Sequence, residues 1–295
     1  MTVRFQSVSS ATLSDLQIPT DAVLLHGDAI DDRGKLAISS IGQSGLRVPV
    51  LYDAEEMKLS FGDVAEDADN AEALLDGYDL EKIVLEATSM GFAEMFSVIN
   101  ALVRRRVERV NIVYAEPASY KRATEADQFA LSEIIKGYRP IPHSIIDLTS
   151  DELESGVFFL GFESERLDRA LEEHQMISSK DIKVVFGLPA FHPGWELNSI
   201  IPHLPRLEEQ RNLQIAYCSA NDPEAAFECL ENTRNSLGVG KRMFVAPIGT
   251  KPCGIASAVF ASVYPDQVGL LFDHPRKKAK RSEGANHWHR FTIHL

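Results

Sequence analysis

Short apolar runs alternate with amphipathic stretches along most of the chain. Residues 82–86 (Lys-Ile-Val-Leu-Glu) form a compact apolar run leading through Ala87-Thr88-Ser89-Met90-Gly91. Phe92, Met95, Phe96, Ile99, Leu102 and Val103 then recur at the spacing of one α-helical face. Arg104-Arg105-Arg106 closes that helix at the negative end of its dipole, and residues 110–114 follow as a second apolar strand. Strand, helix and strand in this order predict a crossover and parallel strands. The rhythm resumes at 156, with strands at 156–161, 182–186, 213–218, 242–246 and 268–272. Helices are expected at 164–174, at 196–209, after Asp222-Pro223-Glu224 and after Thr250. This alternation predicts an α/β fold, doubly wound and Rossmann-like, with a mostly parallel sheet.

The ends and the middle read differently. Residues 1–20 are rich in Ser, Thr and Gln and suit an irregular or edge segment. Runs at 22–26, 47–52 and 57–61 are β-like, the last two joined by Asp53-Ala54-Glu55-Glu56 as a hairpin. The acids of 27–34 suit a solvated turn, because they lack the alternate spacing and closing Glu of a calcium loop. Residues 63–79 are acidic and helix-prone. The reading is therefore an N-terminal antiparallel β segment, 1–79, packed on a Rossmann-like domain, 80–295. Pro117, Pro140 and Pro142 break the region 116–155, which is the place for an insertion, with one helix expected at 124–136.

Composition narrows the function. Hydrophobic residues make up 44% and charged residues 25% of 295, as in ordinary globular proteins. No run approaches the roughly 18 apolar residues of a membrane span, and residues 1–5 lack the apolar core of a signal peptide. Three scattered cysteines suit a reducing, cytoplasmic compartment. A net charge of −13 argues against wrapping a long duplex nucleic acid but leaves room for local basic pockets.

The chemistry concentrates at strand ends. Val245-Ala246-Pro247-Ile248 runs into Gly249-Thr250-Lys251-Pro252 and then a small apolar segment. Thr250 is placed as N-cap and Pro252 near the first helical position, so helix amides, dipole and the Lys251 ammonium converge as an anion site. Thr88-Ser89-Met90-Gly91 is a second turn of this kind, though neither turn carries a Walker A or G-x-G-x-x-G pattern. In Phe191-His192-Pro193-Gly194-Trp195, Trp195 is either a stacking surface for a base or a core residue. Arg276 opens a run of five basic residues in six, a solvated loop or the wall of a polyanion pocket. His287 and His289 fall on one strand face, yet no Cys or carboxylate spacing completes a metal set with them and His274. Glu116, His192, Asp273 and His274 are candidate acids and bases with no partner that sequence can assign.

The Gly249-Thr250-Lys251-Pro252 turn, after an apolar strand in the penultimate βα unit, resembles the ligand motif of CRISPR-associated Rossmann-fold (CARF) sensor domains. The resemblance implies a doubly wound α/β domain, a homodimer, and cyclic oligoadenylates bound across its axis by Gly249, Thr250 and Lys251. Some members also cleave the ligand. With Thr88 and Ser89 as a second hydroxyl-bearing turn, the leading expectation is a second-messenger sensor of a prokaryotic defence or stress system. Such a protein needs no cofactor or metal and acts through a separate effector chain. The alternatives are an enzyme acting on a nucleotide or phosphorylated metabolite, with Lys251 stabilising phosphoryl charge, and a non-catalytic interaction subunit.

Overall fold

The structure, a computed structural model, describes residues 2–41, 45–121, 129–210 and 212–295. In chain order the elements are β1 (Arg4–Ser10), β2 (Val23–His26), α1 (Asp32–Ser40), β3 (Arg47–Asp53), β4 (Lys58–Phe61), β5 (Val64–Asp67), β6 (Ile83–Glu86), α2 (Phe92–Arg104) and β7 (Arg109–Tyr120). Then come β8 (Ser132–Ile135), β9 (Leu153–Leu160), α3 (Ser164–Glu173), β10 (Asp181–Gly187), α4 (Trp195–Glu209), β11 (Leu213–Cys218), α5 (Pro223–Asn235), β12 (Arg242–Pro247), α6 (Lys251–Val263), β13 (Val268–Leu270) and β14 (Pro275–Lys277). The chain ends on β15 (Ser282–His294). The expected α/β, Rossmann-like architecture with antiparallel N-terminal strands is present, among described residues without a helix long and apolar enough to cross a membrane.

The division of the chain differs from the one read at residue 79. One compact unit comprises Met1–Lys121 with Lys277–Leu295, and the other Arg122–Arg276. A boundary at 79 would cut a sheet, because β6 pairs with β2. The second unit is inserted in sequence between β7 and β15, which pair antiparallel from Ser282↔Tyr120 to His294↔Arg109.

The first unit is an eight-stranded mixed sheet of order β1-β15-β7-β6-β2-β3-β4-β5. Its middle strands β7, β6, β2 and β3 are parallel, and the outer strands on both sides are antiparallel. The β3–β4 hairpin lies where it was expected, with Asp53 opposite Lys58. One face buries Leu24, Val84, Val113, Ala115 and Trp288 against Ala37 and Ile41. The acidic run at 27–34 is not simply a turn. It contains the start of α1, where Asp31 accepts the Gly34 amide at 2.8 Å and caps the helix. Residues 64–75 are strand β5 followed by 3₁₀ turns rather than one α-helix. Their short apolar side chains pack against α2 instead of making a long amphipathic face of their own.

The second unit carries a five-stranded, fully parallel sheet of order β11-β10-β9-β12-β13. Numbered along the chain this is 3-2-1-4-5, the doubly wound order, with a topological switch between β9 and β12. Phe158, Leu160, Val184, Phe186, Phe244 and Ala246 pack with Leu167, Ala170 and Leu171 of α3 and with Ile200 and Leu207 of α4. Helices α5 and α6 pack on each other through Phe227 and Phe260, whose rings meet edge to face at 5.2 Å. Of the helix expected at 124–136, residues 132–135 form strand β8, paired with β14, and 124–128 lie outside the described residues.

Gly156 of β9 sits opposite Phe244 of β12, and a Cβ built on it would come within 2.2 Å of the Phe244 ring. The ring occupies the space a side chain would need. Gly156→Ala is expected to cost about 1–3 kcal/mol through overpacking, read as a lower urea midpoint at unchanged m-value.

Candidate functional site

The switch in the second unit is made by two strand ends that almost touch. After β9 come Gly161, Phe162 and Glu163; after β12 come Ile248, Gly249 and Thr250. A Cβ on Gly249 would stand 3.0 Å from the Leu160 carbonyl oxygen, and one on Gly161 would stand 3.1 Å from that of Ile248. A side chain at either position would sit tight against the facing strand's backbone, which suits glycine there. The Gly-Thr-Lys-Pro turn thus lies where ligands collect in open parallel sheets.

Beneath the turn is a buried ion pair. Arg166 of α3 donates through Nε to Asp273 Oδ2 at 2.7 Å and through Nη2 to Asp273 Oδ1, making a bidentate fork. A third donor, Nη1, reaches the Ile248 carbonyl at 3.3 Å. Arg166 is 6% and Asp273 1% exposed. Burial disfavours the guanidinium charge, but the facing carboxylate outweighs it and raises the Arg166 pKa. Glu163, 4.0 Å from Arg166, accepts the Leu131 and Ser132 amides at 2.8 and 2.6 Å. Asp273 is therefore a clamp between α3 and the end of the sheet, and Glu163 a staple for the segment before β8.

Thr250 is the N-cap of α6 and Lys251 its first helical residue, with Pro252 in the first turn, as the sequence indicates. The Thr250 side chain, however, does not cap the helix. Its hydroxyl donates to the Ala220 carbonyl at 2.7 Å, tying the turn to the segment after β11, and lies 3.2 Å from Cys253 Sγ. Cys218, at the end of β11, donates its thiol hydrogen to Cys253; that bond and burial push its pKa up, so it stays protonated at neutral pH. The Thr250 and Cys253 amides are directed at Cys253 Sγ and Pro252 has no N–H, so what the turn offers an anion is the positive dipole end of α6 together with Lys251.

Along the same sheet edge runs an aromatic row. The Phe162 ring lies 5.0 Å from Phe129 and 6.2 Å from Trp195, and Trp195 is 4.3 Å from His192. Trp195 begins α4 and is half-buried, between the stacking and core alternatives. Ser199 of α4 donates to the Gly161 carbonyl at 2.7 Å, which anchors this helix to the switch.

The other candidates fall elsewhere. Arg276 pairs with Glu133 at 3.1 Å beside the β8–β14 ladder. Thr88 and Ser89 belong to the first unit, at its own switch between β2 and β6. There the chain supplies its own anion. Fully buried Glu86 accepts the Thr88 amide at 2.7 Å, the Ser89 amide at 2.9 Å and the Ser89 hydroxyl. The hydroxyls also accept hydrogen bonds, Thr88 from the Ala115 amide and Ser89 from the Gly27 amide, both at 2.9 Å. Lys277 donates to the Ser89 and Met90 carbonyls at 2.5 and 2.9 Å; burial, then repulsion from Arg281, pushes its pKa down to about 8. Arg166 and Glu86 were missed by sequence reasoning. Their signal was a charge set inside an apolar pattern: Arg166 beside Leu167 and Ala170 on the buried face of α3, and Glu86 closing an otherwise apolar strand.

Asp273→Ala would strand the Arg166 charge in the interior. The expected loss is about 3–5 kcal/mol in chemical denaturation, the cost of breaking one partner of a buried pair.

The chain matches no protein-family model and no curated protein.

Proposed function

We propose that the second unit binds a phosphate-bearing nucleotide ligand, of the cyclic-oligonucleotide class, as a CARF-like sensor of a defence or stress system. The observation that carries this reading is the position of Gly249-Thr250-Lys251 at the switch of a 3-2-1-4-5 parallel sheet. The positive dipole end of α6 and Lys251 at its first position place charge at that switch for a pyrophosphate or phosphodiester. The row Phe162, Trp195 and His192 supplies flat surfaces along that edge for bases. A homodimer and a separate effector chain belong to the same reading. Leu197, Ile201 and Leu204 support the dimer, since all three are exposed at i, i+4 and i+7 of α4.

Thermal denaturation of the full chain with ATP, NAD, cyclic dinucleotides and cyclic tetra- and hexaadenylate tests the ligand. A ligand at about 100 times its Kd adds about 2.7 kcal/mol of stability. One of the cyclic oligonucleotides is expected to raise Tm, with the shift lost in Lys251→Ala. An unresponsive panel, or a shift that survives this substitution, defeats the reading. Sedimentation velocity tests the dimer, which Ile201→Glu is expected to split into monomers.

A further inference from the structure

A hydrogen-bonded relay crosses three neighbouring strands of the first unit, far in sequence from the turn already described. The Ser9 hydroxyl of β1 lies 2.7 Å from His289 Nδ1 of β15, and His289 Nε2 lies 3.1 Å from Glu116 Oε2 of β7. Ser9 and His289 are direct cross-strand partners. Glu116 faces the bulge that interrupts the β15–β7 register between Ala285 and Trp288. Bulges commonly re-aim side chains beside functional sites. Here the bulge lets Asn286 donate to Glu116 Oε1 at 2.9 Å while His289 occupies Oε2.

The chemistry of each link fixes its direction. An ionised carboxylate only accepts, so Nε2 of His289 carries the hydrogen shared with Glu116, and in the neutral imidazole Nδ1 then bears the lone pair. That lone pair faces the Ser9 hydroxyl. Hydrogen bonds from His289 and Asn286 overcome the burial that would neutralise Glu116 and hold its pKa below the usual value. The imidazole is also held in place by its neighbours. Its ring lies near-parallel to Tyr114 at 6.0 Å and to Phe291 at 5.7 Å. His289 and Glu116 are each 2% exposed, whereas Ser9 is exposed. A solvent-facing hydroxyl backed by a buried base, itself oriented by a buried carboxylate, is the arrangement of an activated serine nucleophile.

We propose that Ser9 is a nucleophile for acyl transfer from small carboxylic esters, with His289 as its base and Glu116 as the residue that positions His289. In the first half-reaction Ser9 Oγ bonds to the ester carbonyl carbon as its proton passes to His289 Nδ1. The C–O bond to the alcohol then breaks, and His289 returns that proton to the departing alkoxide. In the second half, His289 takes a proton from water, whose oxygen attacks the acyl carbon. The Ser9 ester bond breaks as His289 passes that proton to Oγ, releasing the carboxylic acid and restoring the hydroxyl. Ester and water yield acid and alcohol, with no redox change and no further reactant. The exposure of Ser9 favours short, unhindered acyl groups over substrates that need a deep cleft.

A fluorophosphonate probe on the intact protein, followed by peptide mass spectrometry, tests the nucleophile, and p-nitrophenyl acetate hydrolysis tests turnover. The expected results are an adduct on Ser9, no labelling in Ser9→Ala, and labelling and kcat about 100-fold lower in His289→Asn, as loss of a general base implies. Glu116→Gln is expected to lower kcat with KM unchanged, which a merely structural defect would not do selectively. Ser9→Ala changes an exposed residue and serves as the folded control, checked by circular dichroism, should the buried variants unfold. Absence of a Ser9 adduct, hydrolysis equal in wild type and Ser9→Ala, or labelling of Ser9 undiminished in a folded His289→Asn would overturn the proposal.

Discussion

The antiparallel ladder between β7 and β15 is the constraint on which the first unit depends. It joins Arg109–Tyr120 to the last strand of the chain, with the whole second unit between them in sequence. Closing so long a loop costs entropy, but the cost grows only logarithmically with length, and thirteen-residue β15 repays it by pairing along its length on either side of one bulge. It places Phe291 and Ile293, both fully buried, in the core and gives β1 an edge to pair with. Without that ladder Glu116 and His289 would be unrelated residues, and Ser9 would lie on an unpaired strand.

One mixed and one fully parallel sheet solve the same problem at their switch points in different ways. In the first unit the amides after β6 are filled by Glu86, which leaves the strand end satisfied from within. In the second, the strand ends meet backbone to backbone through Gly161 and Gly249, and the charge beneath them, Arg166, is consumed by Asp273. The same switch carries a helix N-terminus with Lys251 at its first position. The same local motif, a polar turn opening a crossover helix, is structural in one place and a candidate ligand site in the other. The difference lies in what meets the turn's amides: the buried Glu86 carboxylate in the first unit, the Cys253 sulfur in the second.

Much of the architecture was legible because it rests on short-range patterns. The spacing of Phe92, Met95, Phe96, Ile99 and Leu102 specified α2, and Asp222-Pro223 specified the start of α5, where Asp222 accepts the Glu224 amide at 2.9 Å. Helix α1 escaped notice because its few apolar positions, such as Ala37, are outnumbered by polar ones, and its cap sits in an acidic run that resembles a solvated turn. Strand β8 was read as helix because a four-residue ladder has too short a pattern to reveal its period. The last strand was seen only as a histidine pair, since its partners lie in β1 and β7, at the opposite end and in the middle of the chain.

Sequence alone determined most of the strands and crossover helices from residue 82 onward, the mostly parallel pairing expected of them, and the placement of Gly249, Thr250 and Lys251 at a helix start. Each of these follows from the periodicity or chemistry of residues within a few positions of one another. Tertiary structure alone decided which strands are neighbours, which unit each belongs to, and which charges meet. Arg166 with Asp273, and Ser9 with His289 and Glu116, are brought together by strand order and register. Strand order and register are set by burying apolar faces across the whole chain, and no local pattern records them.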